Sequence, residues 1–96
     1  MKKGSQLDVV HESEKNRFAV HTEGETAVLN YRLSEHEVVF THTGVPSALE
    51  GRGIGSRLVR AGLDWARAQG LRVVPMCSFV IGYIERHQEY ADLTQR

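Results

Sequence analysis

The chain has 96 residues, 41% of them hydrophobic, with 12 lysines and arginines against 12 aspartates and glutamates and a single cysteine. So short a chain builds one core and buries roughly 60–65% of the surface its unfolded form exposes, so residues 1–96 are read as one domain of modest stability. Zero formal net charge argues against a general binder of nucleic acid or membrane surfaces, and the lone Cys77 rules out an intrachain disulfide or a multi-cysteine zinc site.

A reduced thiol fits the cytoplasm, and Lys2-Lys3 is followed by no apolar run of the kind a signal peptide or membrane span needs. The balance of charge hides a division. Residues 1–50 carry five basic and eight acidic side chains, and residues 51–96 carry seven and four. That division points to an anion handled by the second half and a cation by the first.

Four short strands are expected first, over Leu7 to His11, Arg17 to Thr22, Glu25 to Leu33 and Glu37 to Thr43. Each is rich in β-branched or aromatic residues, and Glu23-Gly24 and Ser34-Glu35 supply turns between them. In the fourth strand, Val38, Phe40 and His42 are assigned to one face and Val39, Thr41 and Thr43 to the other. Both faces are partly apolar, so this strand is expected inside the sheet.

After Gly44-Val45-Pro46 the period changes. Ile54, Leu58, Ala61, Gly62 and Trp65 repeat at three and four residues, which predicts a helix that stops at Gly70. Leu71 to Cys77 follows as a short strand joined to the fourth by a parallel crossover. Pro75 cannot donate a ladder hydrogen bond, so an edge or a break is expected there. A second helix is expected from Ser78 to His87.

Gly51-Arg52-Gly53-Ile54-Gly55-Ser56 stands where a loop enters the first helix. A helix start offers backbone N–H groups without internal partners and a partial positive charge, and glycines let an anion approach the main chain. A dinucleotide fingerprint would need a third glycine where Ser56 stands and an acidic residue after the next strand, and a phosphate-binding loop of the Walker type would need Gly-Lys-Ser/Thr. Neither pattern is present, and the five histidines show no metal-ligand spacing.

Taken with the loop, helix and broken strand, the chain resembles the GCN5-related N-acetyltransferases, whose Gln/Arg-x-x-Gly-x-Gly/Ala signature corresponds here to Glu50-Gly51-Arg52-Gly53-Ile54-Gly55. Phe40-Thr41-His42-Thr43-Gly44-Val45-Pro46, Ala61-Gly62-Leu63-Asp64-Trp65-Ala66 and Val74-Pro75-Met76-Cys77 are similar to the very small, stand-alone members. The likeness covers about residues 25–92. It implies an α/β (α+β) fold in which antiparallel N-terminal strands lead into a parallel β-α-β unit and a C-terminal helix.

It further implies an acetyl-CoA-dependent enzyme that passes acetyl to a primary amine by direct attack in a ternary complex, without a metal. Gly51, Arg52, Gly53, Ile54, Gly55 and Ser56 would hold the pyrophosphate, Val45 would pair with the pantetheine arm, and Arg52, Arg57 and Arg60 are the cations near enough for the 3′-phosphate. Glu50 stands where Gln or Arg is usual and is expected to point away from the phosphates. Cys77 at the end of the fifth strand, Tyr83 on the last helix and His42 are the candidate catalytic residues, with Glu37 a further proton acceptor. Tyr83 is one residue before the position, here Ile84, at which larger relatives carry an acidic tyrosine.

A cationic acceptor follows from the acidic first half: a small amine, a polyamine, a lysine side chain or an amino terminus. The chain lacks the helices that larger relatives place between the first two strands, so it is expected to be a monomer with an open acceptor side or a weak homodimer in which a second copy completes it. The rival readings are a non-catalytic acyl-CoA-binding or sensing module, which would keep the loop but need neither Cys77 nor Tyr83, and a protein-interaction subunit.

Overall fold

The structure, a computed structural model, describes residues 7–96. Five strands form one sheet in chain order: β1 (Val10–Glu12), β2 (Arg17–Thr22), β3 (Glu25–Leu33), β4 (Glu37–Gly44) and β5 (Arg72–Pro75). The first four pair antiparallel, and β5 joins β4 in parallel after the crossover helix α1 (Ile54–Gln69). A second helix, α2 (Ser78–Arg86), and a 3-10 segment, Gln88–Gln95, complete the chain.

Alternation along the strands divides the sheet into two unlike faces. Phe18, Val20, Ala27, Leu29, Tyr31, Val38, Phe40 and Val73 turn toward the helices and are buried. The other face is mixed, with Ala19, Val28 and Val39 among polar residues, and one polar row runs straight across four strands, from Glu12 to Arg17 to Asn30 to His42. Four residues separate β1 from β2: the 3-10 turn Ser13–Lys15 and its left-handed C-cap, Asn16.

The helix α1 presents Leu58, Val59, Gly62, Leu63 and Ala66 to the sheet at spacings of three and four. It can lie close because Gly62 has no side chain. A Cβ there would sit 2.9 Å from Leu29 Cδ2 and 3.0 Å from the Phe40 ring.

The first strand is shorter and later than expected, starting at Val10. Leu7 and Val9 pack against the core instead of joining the ladder, and Val9 lies beside Arg57, Arg60 and Ala61 of α1. The fifth strand ends at Pro75, where the β4–β5 pairing stops with Phe40 opposite Pro75. One further bond, from Met76 N–H to Phe40 C=O at 3.0 Å, closes the ladder.

A bulge in β4 corrects the expected facing of His42. Asn30 pairs with His42 but Tyr31 pairs with Phe40, so Thr41 is an extra residue. The slip turns His42 onto the polar face and brings Thr43 to the helix face opposite buried Leu29.

The C-terminal 3-10 segment had no periodic signal, yet it buries Tyr90 and Leu93 against α1, α2 and β5. Tyr90 donates its hydroxyl to Asp64 Oδ1 at 2.6 Å, and Arg67 meets both oxygens of Asp92 at 3.0 Å. Burial, reinforced by the Asp64 carboxylate, pushes the Tyr90 hydroxyl up to about 12.

Candidate functional site

Between the end of β4 and the start of α1 lies an open cleft of about 390 Å³. Thr43 and Val45 form one wall, the glycine loop and the first turn of α1 form another, and Leu49 and Phe79 supply apolar surface. Gly53 takes the N-cap of α1 with φ +74°, and Gly51 stands at φ +84°. Both conformations strain an L-residue, and no side chain shields the backbone there.

No side chain caps α1, and its first internal bond runs from Arg57 N–H to Gly53 C=O at 3.1 Å. The amides of Ile54, Gly55 and Ser56 therefore have no intrahelical acceptor and open on the cleft with the positive end of the helix dipole behind them. That donor set fits a diphosphate, and the apolar wall of Val45, Leu49 and Phe79 fits a flexible, weakly polar arm leading away from it.

At the far end of the cleft, β4 and β5 have parted beyond Pro75, and the thiol of Cys77 donates to Thr43 Oγ1 at 3.4 Å across the opening. Cys77 is the N-cap of α2. Partial burial opposes its ionisation, but the Thr43 hydroxyl and the main-chain amides of Val80, Phe79 and Thr43 outweigh that effect and lower its pKa below that of an ordinary thiol. Cys77 is thus a half-buried, acidified thiol at the edge of a cleft.

Val45, Gly51, Gly53, Ile54, Gly55 and Ser56 all line this cleft. Arg52 does not. Its guanidinium pairs with both oxygens of Glu23 and reaches back to Ala48 C=O at 3.4 Å, so the glycine turn aims it away from the anion site. Glu50, expected to stand clear, lines the cleft instead.

The three candidate catalytic residues occupy three different places. Cys77 lies at the cleft's end, bonded to Thr43. His42 lies on the opposite sheet face because of the bulge, its Nε2 over Gly44, where a Cβ would come within 2.9 Å. Tyr83 is buried in a second cleft of about 260 Å³, with Ser56, Arg57, Arg60 and His87. It stacks on His87 at 4.0 Å between centroids, and burial raises its hydroxyl above the usual range.

Thr43 and Phe79 were not singled out from the sequence. Thr43 left a signal: Val38 and Phe40 alternate, then Thr43 and Val45 alternate, and the three-residue step between the pairs marks one inserted residue. Phe79 left none, because its position depends on the close approach of α2 to Gly55, where a Cβ would be 2.7 Å from the ring.

Among the described residues no group of three or more His, Cys, Asp or Glu is placed to hold a metal ion, and no helix is long and apolar enough to cross a membrane.

Residues 17–93 match the GCN5-related N-acetyl-transferase family. Protein NATD1 of Mus musculus is 30% identical over 90 residues, covering 91% of this chain and 82% of the relative, and the Homo sapiens protein is similar at the same identity with 80% of its length covered. Among solved structures, a Staphylococcus aureus protein determined by NMR and described as GCN5-like superposes with a TM-score of 0.72 at 30% identity, covering 94% of this chain and 89% of that one.

Proposed function

The chain belongs to the GCN5-related N-acetyltransferase family, and from that premise we propose that it is an acetyl-CoA-dependent enzyme that acetylates a primary amine in a ternary complex. Membership itself supports a general N-acetyltransferase role and the mixed five-stranded fold. The observation that carries the finer reading is the cleft that runs from the bare N-terminus of α1 to Thr43, whose hydroxyl oxygen accepts from the acidified thiol of Cys77.

Acetyl-CoA supplies an acyl thioester, reactive toward a neutral amine and ending in a good leaving group. The amides of residues 54–56 bind its pyrophosphate, and the backbone at Val45, just past the end of β4, is free to pair with the pantetheine arm along the unpaired edge. The thioester end then falls at the gap between β4 and Cys77.

As the amine forms its bond to the carbonyl carbon and the carbon–sulfur bond breaks, Cys77 Sγ gives its proton to the departing thiolate, and the proton that the acylated nitrogen sheds restores the thiol. Its lowered pKa makes it a stronger acid than an ordinary thiol, so this transfer runs downhill. The acceptor amine arrives unprotonated or loses its proton on the polar sheet face, where His42 is the accepting group beside the opening. Donor and acceptor thus approach β4 from opposite faces.

A cationic amine is the proposed acceptor, with a narrower basis than the charge division suggested. Glu12, Glu23 and Glu37 already face Arg17, Arg52 and Arg72, which leaves Asp8, Glu14, Glu25, Glu35 and Glu50 as the carboxylates able to attract it.

The test is to follow thiol release and amine acetylation together over a panel of amines, with intact-mass analysis of enzyme held in acetyl-CoA without acceptor. The reading expects turnover of at least one primary amine and no rapidly formed adduct on Cys77. Tight binding with no turnover of any amine would leave a sensing module in its place.

A further inference from the structure

Four of the five histidines are occupied. His11 shares a hydrogen bond with the Tyr31 hydroxyl at 2.7 Å, His21 meets Glu12 at 2.7 Å, His36 stands 3.7 Å from the Glu35 carboxylate, and His87 donates its Nδ1 proton to Tyr83 C=O at 2.9 Å. His42, which is exposed, is the one histidine among the described residues with no hydrogen bond, ion pair or ring contact.

A missing side chain decides where this free ring lies. His42 and Gly44 share the sheet face turned away from the helices, and a Cβ on Gly44 would stand 2.9 Å from Nε2 of the ring and 3.6 Å from its Cδ2. The imidazole therefore lies along β4 with Nε2 leading, over the backbone of Gly44, the last residue of the strand and the partner of Val28. Thr43 and Val45, on either side of Gly44, line the first cleft. Nε2 is thus carried to a stretch of chain whose other side faces the donor.

We propose that Gly44 is a positioning residue for deprotonation of the acceptor: by leaving space for the His42 ring, it holds Nε2 at the end of β4, where the amine approaches the thioester. With the ring proton on Nδ1, the Nε2 lone pair takes one proton from the acceptor's ammonium group. The amine keeps the bonding pair as its nucleophilic lone pair, and the imidazolium then gives the proton to solvent. This rests on the reading that His42 accepts the amine's proton. Gly44 has no left-handed backbone, and a Cβ there would meet only the tip of a side chain, so alanine fits the fold at the expense of the ring's place.

The test compares Gly44→Ala, His42→Gln and the double variant in the full chain, by thermal melt, by acetyl-CoA affinity and by kcat/KM across pH for a primary amine that the wild type turns over. Gly44→Ala should lower kcat/KM for the amine as far as His42→Gln does and take on the pH profile of His42→Gln, with Tm and acetyl-CoA affinity unchanged. The double variant should lose no more than either single change, because both remove the same proton acceptor.

An unchanged kcat/KM and pH profile in Gly44→Ala, beside a loss in His42→Gln, would overturn the proposal and leave His42 as the proton acceptor. Losses that add in the double variant, or a loss in Gly44→Ala accompanied by a lower Tm or weaker acetyl-CoA binding, would overturn it too, by assigning Gly44 to the sheet. Full activity in His42→Gln, or no amine turned over by the wild type, would remove the reading of His42 and this inference with it.

Discussion

The two faces of the sheet differ in how they are built. On the helix face, Phe40, Leu29 and Val38 are fully buried and α1 is drawn close by Gly62, so the glycine loop is held by a packed core. On the other face, Glu12 is bound by Arg17 at 2.6 Å and His21 at 2.7 Å, while Asn30 and His42 complete the row. A packed face can hold a donor of fixed shape, whereas an exposed polar row can accept acceptors of many shapes. Substitutions on the two faces should therefore separate donor binding from acceptor use.

The largest effect is expected at the junction between the faces. Cys77→Ala should lower turnover by about 10²–10⁴-fold, the range for loss of a general acid, with acetyl-CoA affinity little changed. Steady-state kinetics and calorimetry on the same preparation read both quantities. A loss of only a few fold would reduce Cys77 to packing.

Donor binding should stabilise the helix face. Coenzyme A at a hundred times its dissociation constant should add about 2.7 kcal/mol to unfolding stability, seen as a concentration-dependent rise in Tm. Adenosine alone should do much less.

Within the loop, two glycines should fail differently. Gly55→Val forces atoms into the Phe79 ring and should destabilise the fold by about 1–3 kcal/mol, as urea unfolding would report. Gly53→Val meets open space but a left-handed backbone, so its main cost should be a strained helix start and a blocked anion site, read as a loss of acetyl-CoA affinity in a folded protein. If Gly55→Val were the better-folded variant, the close approach of α2 to α1 would be wrong.

Smaller effects are expected away from the donor. His42→Gln should lower kcat/KM for the amine without moving acetyl-CoA affinity, and added salt should raise the KM of a cationic acceptor modestly, because exposed charges are screened. Tyr90, whose hydroxyl is raised to about 12 in the fold from the ordinary tyrosine value of 10.0, adds stability that is complete below pH 10 and lost as pH rises toward 12. Unfolded chains release that proton first, so alkaline melts should show a decline in this window that Tyr90→Phe abolishes.

Much of the helix face was legible in the sequence because its signals are local. Spacings of three and four residues mark α1, Gly51 and Gly53 mark its entry, and Pro75 marks the end of the β4–β5 ladder. The remainder depends on contacts between distant residues. Arg52 sits in the motif but is captured by Glu23 from the β2–β3 turn. Tyr83 is on the expected helix but faces Arg57 and Arg60. His42 changed face through one inserted residue, and residues 88–95 are placed by the burial of Tyr90 and Leu93 and by bonds to Asp64 and Arg67 of α1.

The most direct measurement is an amide NMR titration of the whole chain with acetyl-CoA. The account predicts shifts concentrated at Thr43 to Val45, Gly51 to Ser56 and Cys77 to Phe79, with the Glu12, Arg17 and Asn30 row unmoved. Shifts confined to that row, or none at saturating acetyl-CoA, would contradict it.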